Sequence, residues 1–265
     1  MANKGGKLRS GNGKRKPLII GRAILDLGVS NRELSVSINK WRRHKSLVSN
    51  EFLDNPKIYR QRLDNIIEKG VKENVDILLL PACTLIWKHG YHLEQYRQIS
   101  RKVPWVIAGR LRLKVGGLTG RYVEDAVVLR RGRPILQWDP YTVKWLKIGR
   151  VDAMLAISST IKKVYDDETL RGPKASSKSS KAVVAISLGH HQYSTRFGIR
   201  TLGKVLRVLK THNPGRAVVV LSFWAFKRSA SRISWTAPNG LDFTRHRIPL
   251  GEDGRDDILD ILKIK

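Results

Sequence analysis

The chain has 265 residues, of which 51 are Lys or Arg and 22 are Asp or Glu, so its formal net charge at pH 7 is +29. This excess of cations disfavours an ordinary metabolic enzyme and indicates a surface that meets polyanions, of which nucleic acid is the commonest. A single cysteine, Cys83, excludes an internal disulfide and a zinc site built from several thiolates. No apolar run reaches the roughly 20 residues of a membrane span, and the N-terminus lacks an apolar signal region, so we expect an intracellular, nucleic-acid-associated protein.

The N-terminal segment differs in composition from the rest of the chain. Residues 1–16 hold six basic residues, four glycines and no acidic residue, which is typical of disorder. We therefore predict a disordered basic arm over residues 1–16 and a single folded domain over residues 17–265. Because cationic arms track phosphate backbones, Lys14, Arg15 and Lys16 are expected contact residues.

A second basic segment, KWRRHK at residues 40–45, follows the first predicted strand at residues 17–25. Its polar surroundings predict irregular structure up to residue 55. Arg42 and Arg43 are expected to contact phosphates, and Trp41 is placed to stack on a base or sugar.

Hydrophobic spacing predicts alternating helices and strands in the first half of the chain. A helix is predicted to open at Asn55, with Pro56 at its first position. Its expected buried face is formed by apolar residues at helical spacing, namely Ile58, Leu63, Ile66, Ile67 and Val71. A strand is predicted at residues 75–81, ending at a proline, then a helix near residues 92–101, then a strand at residues 104–109.

The strand at residues 104–109 is predicted to continue as RLRLK over residues 110–114. Because side chains alternate along a strand, Arg110, Arg112 and Lys114 should share one face. We expect that face to contact nucleic acid.

A hairpin turn made almost entirely of cations is predicted from RRGR at residues 130–133, between strands at residues 122–129 and 134–138. Arg130, Arg131 and Arg133 are its expected contact residues. Further strands are predicted at residues 181–187, 216–226 and 258–264, with a Ser/Lys-rich loop at residues 171–181 and a helix between the first two of these strands. This alternation predicts an α/β domain with helices packed outside sheets.

The order of these elements resembles that of the nitrilase, or carbon-nitrogen hydrolase, superfamily. The resemblance is carried by VDILLLPA at residues 75–82, VPWVIAG at 103–109, YVEDAVVL at 122–129 and ILQWDPYTVK at 135–144. It covers about two thirds of the chain. The resemblance implies a four-layer αββα sandwich and a Glu-Lys-Cys catalytic triad.

The sequence departs from that triad at two of its three positions. Ala82 stands where the family has the glutamate base, while Lys144 matches the lysine. Ser187, in SLGHHQ at residues 187–192, is the nearest match to the cysteine nucleophile, and a serine without a base is a poor nucleophile. Cys83 follows the glutamate position and does not restore the triad. The resemblance therefore implies a scaffold without amidase chemistry, a pseudoenzyme.

A basic helix is predicted inside a long stretch, residues 169–241, that contains no Asp or Glu. Its cations recur at steps of four and three and so share one helical face: Arg196, Arg200, Lys204, Arg207 and Lys210. The apolar face is predicted to hold Ile199, Leu202, Leu206 and Leu209. Solvated helix faces usually mix signs, so we interpret this face as a polyanion contact, the alternative being an ordinary solvated surface.

Among the seven tryptophans, Trp105 and Trp224 lie in apolar strands and are expected in the core. Trp235 follows a basic segment and is placed, like Trp41, to stack on a base. No phosphate-binding glycine loop, zinc finger or RNA-recognition signature occurs in the sequence. Contacts to phosphates with little sequence preference are therefore expected, with DNA and RNA both open as partners.

Two rival functions stay open from the sequence. His190 and His191, with carboxylates such as Asp125 or Asp139, could serve a nucleic-acid-processing hydrolase, although adjacent histidines are equally consistent with a polar loop. His89 and His92 could likewise form a metal pair, but the start of a surface helix explains them equally well. We therefore expect neither a metal nor a cofactor. The other rival is a structural nucleoprotein, such as a virion or packaging component, and homo-oligomerisation also stays open.

Overall fold

The computed structural model describes residues 16–25, 56–87, 100–114, 121–138, 144–157, 180–189, 195–224, 232–249 and 256–265. Within these ranges it describes the backbone alone at residues 56–60, 81–87, 110–114, 121–125, 137–138, 156–157, 187–189, 195–202, 222–224 and 232.

Two helices and twelve strands lie in the described ranges. In chain order they are β1 (Leu18–Ile24), α1 (Pro56–Lys72), β2 (Ile77–Trp87), β3 (Trp105–Lys114), β4 (Arg121–Arg130), β5 (Arg133–Trp138), β6 (Lys144–Ile148), β7 (Val151–Ile157), β8 (Ala182–Gly189), α2 (Thr195–His212), β9 (Ala217–Trp224), β10 (Arg232–Thr236), β11 (Leu241–Pro249) and β12 (Asp256–Ile264).

The strands form two sheets. One has seven strands in the order β11-β12-β1-β2-β3-β4-β5, and the other has five in the order β10-β9-β8-β7-β6. At the centre of the first sheet β1, β2 and β3 run parallel, and at the centre of the second β7, β8 and β9 do. The flanking strands pair antiparallel, through hairpins such as β4–β5 and β6–β7 and, for β1 with β12, between distant parts of the chain.

Three groups of buried side chains hold the layers together. Residues of both sheets, among them Ile20, Ile107 and Val184, form the core between the sheets. The opposite face of the seven-stranded sheet packs against α1, and that of the five-stranded sheet packs against α2. Parallel strands buried on both faces explain the continuous apolar runs of the sequence. The arrangement is the predicted αββα sandwich, and that prediction of fold class is confirmed.

Two details of the predicted elements are wrong. The strand expected to end at Pro81 continues to Trp87, with a register shift in its pairing to β3 between Leu80 and Leu85. Proline has no N–H for the ladder, and the strand accommodates it as a bulge rather than ending. Val71, expected on the buried face of α1, is 41% exposed. The helix packs against the sheet through Leu63, Ile66 and Ile67, and Val71 is the next-to-last residue of the helix.

Four strands were not predicted, namely β6, β7, β10 and β11. Strands β10 and β11 form the free edges of the two sheets on one side of the sandwich, and their sequences, RISWT and LDFTRHRIP, mix charged, polar and apolar residues. Edge strands with one solvated side carry a weak hydrophobic pattern, which is why the sequence does not reveal them. The irregular segment predicted after β1, and residues 92–99 of the helix predicted near residues 92–101, lie outside the described residues.

Candidate nucleic-acid interface

The first residues of six parallel strands meet at one end of the sandwich, which we call the strand-start end. Arg150, just before β7, donates hydrogen bonds to the carbonyl oxygens of Lys16 (2.7 Å) and Pro17 (3.0 Å), just before β1. The Nζ of Lys181, just before β8, donates to the same Lys16 carbonyl at 3.0 Å. The carbonyl of Lys16, the last residue of the predicted arm, is therefore anchored to the second sheet.

Trp105, the first residue of β3, links two further turns to this end. The guanidinium of Arg130 lies 5.2 Å from the centre of its ring, a cation–π geometry. The β6–β7 turn passes its Nε1 closely at Gly149, which has φ +57°, so that an added Cβ would lie 3.4 Å from that nitrogen. Trp105, expected in the core, packs against it but is only half-buried, because the ring also supports the surface turn that carries Arg130.

The β4–β5 hairpin presents three exposed arginines beside Trp105, as the sequence predicts. Arg130 and Arg133 pair across the strands, and Arg131 and Gly132 form the two-residue turn. Both turn residues have positive φ, +47° and +80°, the signature of a type I′ turn. The N–H of Arg131 donates to the carbonyl of Pro104 at 3.0 Å, which fixes the hairpin against the start of β3.

The carboxylates at the starts of β2 and β7 are engaged by other groups. Asp76 accepts a hydrogen bond from the N–H of Ile19 at 2.9 Å and lies 3.8 Å from Arg150. Asp152 accepts from Arg216 at 2.6 Å and from the hydroxyl of Ser180 at 3.0 Å. These acids lock the strand starts together, while further cations at this end lie exposed to solvent: Lys16, Arg101, Lys102, Arg130, Arg131, Arg133 and Lys210.

Helix α2 brings a row of cations toward the same end, because its C-terminus leads into the start of β9. Lys204, Arg207 and Lys210 are exposed, and we call them the cationic stripe. On the opposite face Leu209 is fully buried and Leu206 is half-buried against the five-stranded sheet, as predicted. Val205, which was not predicted on that face, is buried there too. The structure describes only the backbone of Arg196, Arg200, Ile199 and Leu202, in the first half of the helix.

Other predicted contact residues lie elsewhere. The backbone places Arg110, Arg112 and Lys114 on the second half of β3, and Lys114 is about 30 Å along the strand from Trp105 at 3.3 Å per residue. The structure thus separates these residues from the hairpin. Lys14, Arg15, Trp41, Arg42 and Arg43 lie outside the described residues.

Trp235 lies on β10, at the side of the sandwich away from the hairpin. Its ring stacks on that of Phe243, with ring centres 5.8 Å apart and planes 15° apart. Phe243 and the neighbouring Arg245 were missed as candidates, because nothing in the sequence joins β10 to β11 across two different sheets. For Trp224 the structure describes only the backbone.

The positions that match the family's triad lie toward the opposite end of the strands. Ala82 falls in the bulge of β2, and Ser187 lies near the end of β8. Lys144, the first residue of β6, is exposed and pairs with Leu155 near the end of β7. For Ala82, Cys83, Ser187 and Asp125 only the backbone is described, and His89, His92, Asp139, His190 and His191 lie outside the described residues.

Within the described ranges, no group of three or more His, Cys, Asp or Glu side chains could hold a metal ion. Of the helices in those ranges, none is long and apolar enough to cross a membrane.

Two face-to-face sheets with a helix on each outer face define an αββα sandwich. The structure is similar to that of a CN-hydrolase superfamily protein from Xanthomonas campestris, with a TM-score of 0.50 and 7% identity over 94% of this chain and 91% of that chain. At this identity the likeness is one of fold, and it confirms the nitrilase-like architecture expected from the sequence.

Two glutamine-dependent NAD+ synthetases are also similar in structure. The enzyme from Acinetobacter baumannii gives a TM-score of 0.47 at 10% identity over 78% of this chain, and the enzyme from Cytophaga hutchinsonii gives 0.40 at 11% over 78%. This chain spans only 38% and 36% of their lengths. The sequence matches no protein-family model and no curated protein sequence.

Proposed function

We propose that this protein binds nucleic acid through the strand-start end of a nitrilase-like scaffold, with the β4–β5 hairpin and the cationic stripe of α2 as its main phosphate contacts. The observation that carries the proposal is the arrangement of charge at that end. Asp76 and Asp152 are held by backbone and arginine partners, while the hairpin arginines are exposed. A polyanion is the partner whose charge complements such a surface.

The conformation of Arg131 supports a functional role for the hairpin. A type I′ turn favours Asn, Asp or Gly at the position of Arg131, because the left-handed region is unfavourable for longer side chains by roughly 1–2 kcal/mol. Arg131 therefore costs stability where a better turn residue is available. Strain of this kind is commonly retained where the side chain has a function.

The proposed contacts are with phosphates rather than base edges. Lys and Arg side chains on a hairpin and along a helix neutralise backbone charge and release counterions. Such contacts position a nucleic acid but carry no sequence information. Binding should accordingly be salt-sensitive and tolerant of sequence, for RNA and DNA alike.

We further infer that the scaffold performs no amidase chemistry by the family's triad. Ala82 has no group that accepts a proton, and Ser187 has a hydroxyl in place of a thiol. The proposed binding surface also lies at the opposite end of the strands from these positions. Binding at the strand-start end is therefore independent of whatever remains of the family's active site.

Binding of the full chain to labelled single-stranded RNA, single-stranded DNA and double-stranded DNA tests the proposal at about 50 and 200 mM salt. We expect affinity to fall steeply with salt and to depend weakly on sequence. Gel analysis of the nucleic acid after incubation distinguishes a binding protein from a hydrolase. An affinity that does not change with salt, or cleavage of the nucleic acid, would contradict the proposal.

A pair of charge variants localises the contact. Arg131→Glu combined with Arg133→Glu reverses two hairpin charges, and we expect at least a tenfold loss of affinity at moderate salt. The matched control, Arg131→Lys combined with Arg133→Lys, keeps both charges and should bind nearly as the parent does. If the folded reversal variant binds like the parent, the hairpin is not a contact element.

A further inference from the structure

The seven-stranded sheet ends at β11, and the five-stranded sheet ends at β10 on the same side of the sandwich. Leu241 and Phe243 pair with Ile264 and Leu262, which belong to the core between the sheets. Phe243 therefore projects toward the second sheet. The second sheet ends at β10, whose Trp235 contacts Phe243, and Phe243 nevertheless remains 38% exposed.

Trp235 lies beside Phe243 on the neighbouring edge strand, β10. It pairs with Val219 of β9, a residue of the same core, and so projects from the second sheet toward the first. Its ring stacks on Phe243 yet is 39% exposed. Two large aromatic rings from different sheets thus lie in contact with each other and with solvent.

Arg245, two residues after Phe243 on the same face of β11, adds a fixed cation. Its Cζ lies 5.7 Å from the centre of the Phe243 ring. The Nε and Nη2 of Arg245 donate hydrogen bonds to the fully buried carboxylate of Asp260, at 2.7 Å and 3.1 Å. The same hydrogen bonding raises the pKa of Arg245 above its ordinary value, although the side chain is 46% exposed. Arg247, the next residue on this face, is also exposed.

We propose that Trp235, Phe243, Arg245 and Arg247, which we call the open-edge site, bind the unpaired bases of a single-stranded nucleic acid. This inference rests on the proposed function and specifies its substrate class as single strands. Aromatic rings on a sheet surface stack bases, and an adjacent guanidinium adds cation–π and phosphate contacts. Paired bases do not expose their faces to such a site.

The charge of the site favours nucleic acid over a protein partner. Of the large apolar side chains described as exposed, Trp235 and Phe243 are the two aromatic ones, and cations lie beside them along β11. Asp242, the residue before Phe243 on β11, forms an ion pair with Lys265, whose Nζ lies 2.8 Å from its Oδ1. The net charge of +29 attracts polyanions to the chain, and Arg245 and Arg247 supply the exposed cations at this edge.

The test compares an oligothymidine with an abasic oligomer of equal length, using the full chain. The abasic strand keeps every phosphate and removes every base. We expect the parent to bind oligothymidine about five- to 150-fold more tightly, the gain from stacking one base. In the variant Trp235→Leu with Phe243→Leu, that difference should disappear while binding of the abasic strand is retained.

Two control variants separate stacking from folding and from phosphate binding. Trp235→Phe with Phe243→Tyr keeps two aromatic rings and should retain a preference for oligothymidine. The hairpin variant Arg131→Glu with Arg133→Glu should weaken binding of both oligomers equally. Melting temperatures of all variants identify any loss of fold.

The outcomes distinguish the two proposals. If neither oligomer binds, the proposed function itself fails. If both bind but with equal affinity, nucleic-acid binding stands and the open-edge site is overturned. The open-edge site is also overturned if the folded leucine variant still prefers oligothymidine. Light scattering on the parent and the leucine variant shows whether the substitutions break a homo-oligomer instead; a broken oligomer with an unchanged oligothymidine preference overturns the site as well.

Discussion

Arg22 on β1 and Asp260 on β12 form an ion pair whose side chains are 1% and 0% exposed. Asp260 also accepts two hydrogen bonds from Arg245 on β11, so one carboxylate joins three neighbouring strands. Burial lowers the pKa of Arg22, and the charge of Asp260 opposes that effect. Asp260 therefore holds β11, the strand that carries Phe243, Arg245 and Arg247, in place beside β12 and β1.

Loss of this carboxylate should strongly destabilise the fold. In Asp260→Asn the buried guanidinium of Arg22 loses its charged partner, and breaking a buried pair costs about 3–5 kcal/mol. Urea unfolding of the variant and the parent measures this difference. As a control, Asp242→Asn removes an exposed partner of Lys265 and should cost under about 1 kcal/mol. Equal stability of Asp260→Asn and the parent would show that the pair is not structural.

Relief of strain in the β4–β5 turn should separate stability from binding. Asn suits the positive φ of residue 131 better than Arg does. We therefore expect Arg131→Asn to raise the free energy of unfolding by roughly 0.5–1.5 kcal/mol and to weaken nucleic-acid binding by removing one phosphate contact. Thermal melts and binding titrations on the same preparations test both effects. A variant that gains stability without losing affinity would assign Arg131 no role in binding.

The two faces of α2 should respond differently to substitution. Changing Lys204, Arg207 and Lys210 to Glu leaves the buried residues untouched and should alter stability by under about 0.5 kcal/mol each. The affinity for nucleic acid should fall more than tenfold at moderate salt. The slope of log affinity against log salt should decrease by the share that about three phosphate contacts contribute.

The matched control for the stripe is Leu209→Ala, on the buried face of the same helix. It should destabilise the fold by about 2–5 kcal/mol through a cavity and leave the salt slope of the folded protein unchanged. If the triple reversal is folded and binds as the parent does, the cationic stripe is not a contact surface.

Amidase activity should be absent. Incubation of the purified chain with simple amides should release no ammonia above the rate without protein, because position 82 carries no proton acceptor. Turnover that disappears in Lys144→Ala would show instead that a triad exists and that its members have been misassigned.

The pH dependence of stability should report Glu73, just beyond the end of α1. Its pKa lies below the ordinary value, mainly because Lys69 bonds its carboxylate, 3.2 Å away. A carboxyl whose pKa is lower in the folded state stabilises the protein above its unfolded pKa, and this contribution is lost as pH falls through the folded pKa. Glu73→Gln should therefore be slightly less stable than the parent at neutral pH, with the gap closing in acid. Urea titrations at several pH values measure it, and a gap that widens in acid would refute this assignment.

The sequence alone determined the layers of this protein. Apolar patterns in α1, α2 and the central strands other than β7 report which segments are buried, and burial is a local property that each segment records in its own residues. The turn at Arg131 and Gly132 was readable for the same reason, since its cations and glycine lie between two strand patterns. The departure at Ala82 from the family's triad is likewise a matter of residue identity.

Only the tertiary structure decided which cations share a surface. Arg150 reaches the carbonyl of Lys16 across 134 positions of the chain, and Arg22 reaches Asp260 across 238. No periodicity encodes such contacts, because the first depends on how the two sheets are aligned and the second on the pairing of β1 with β12 within one sheet. The length of β3 separates Arg112 from the hairpin, and Phe243 stays 38% exposed beside Trp235 because β10 and β11 are edge strands, each with no neighbouring strand on one side.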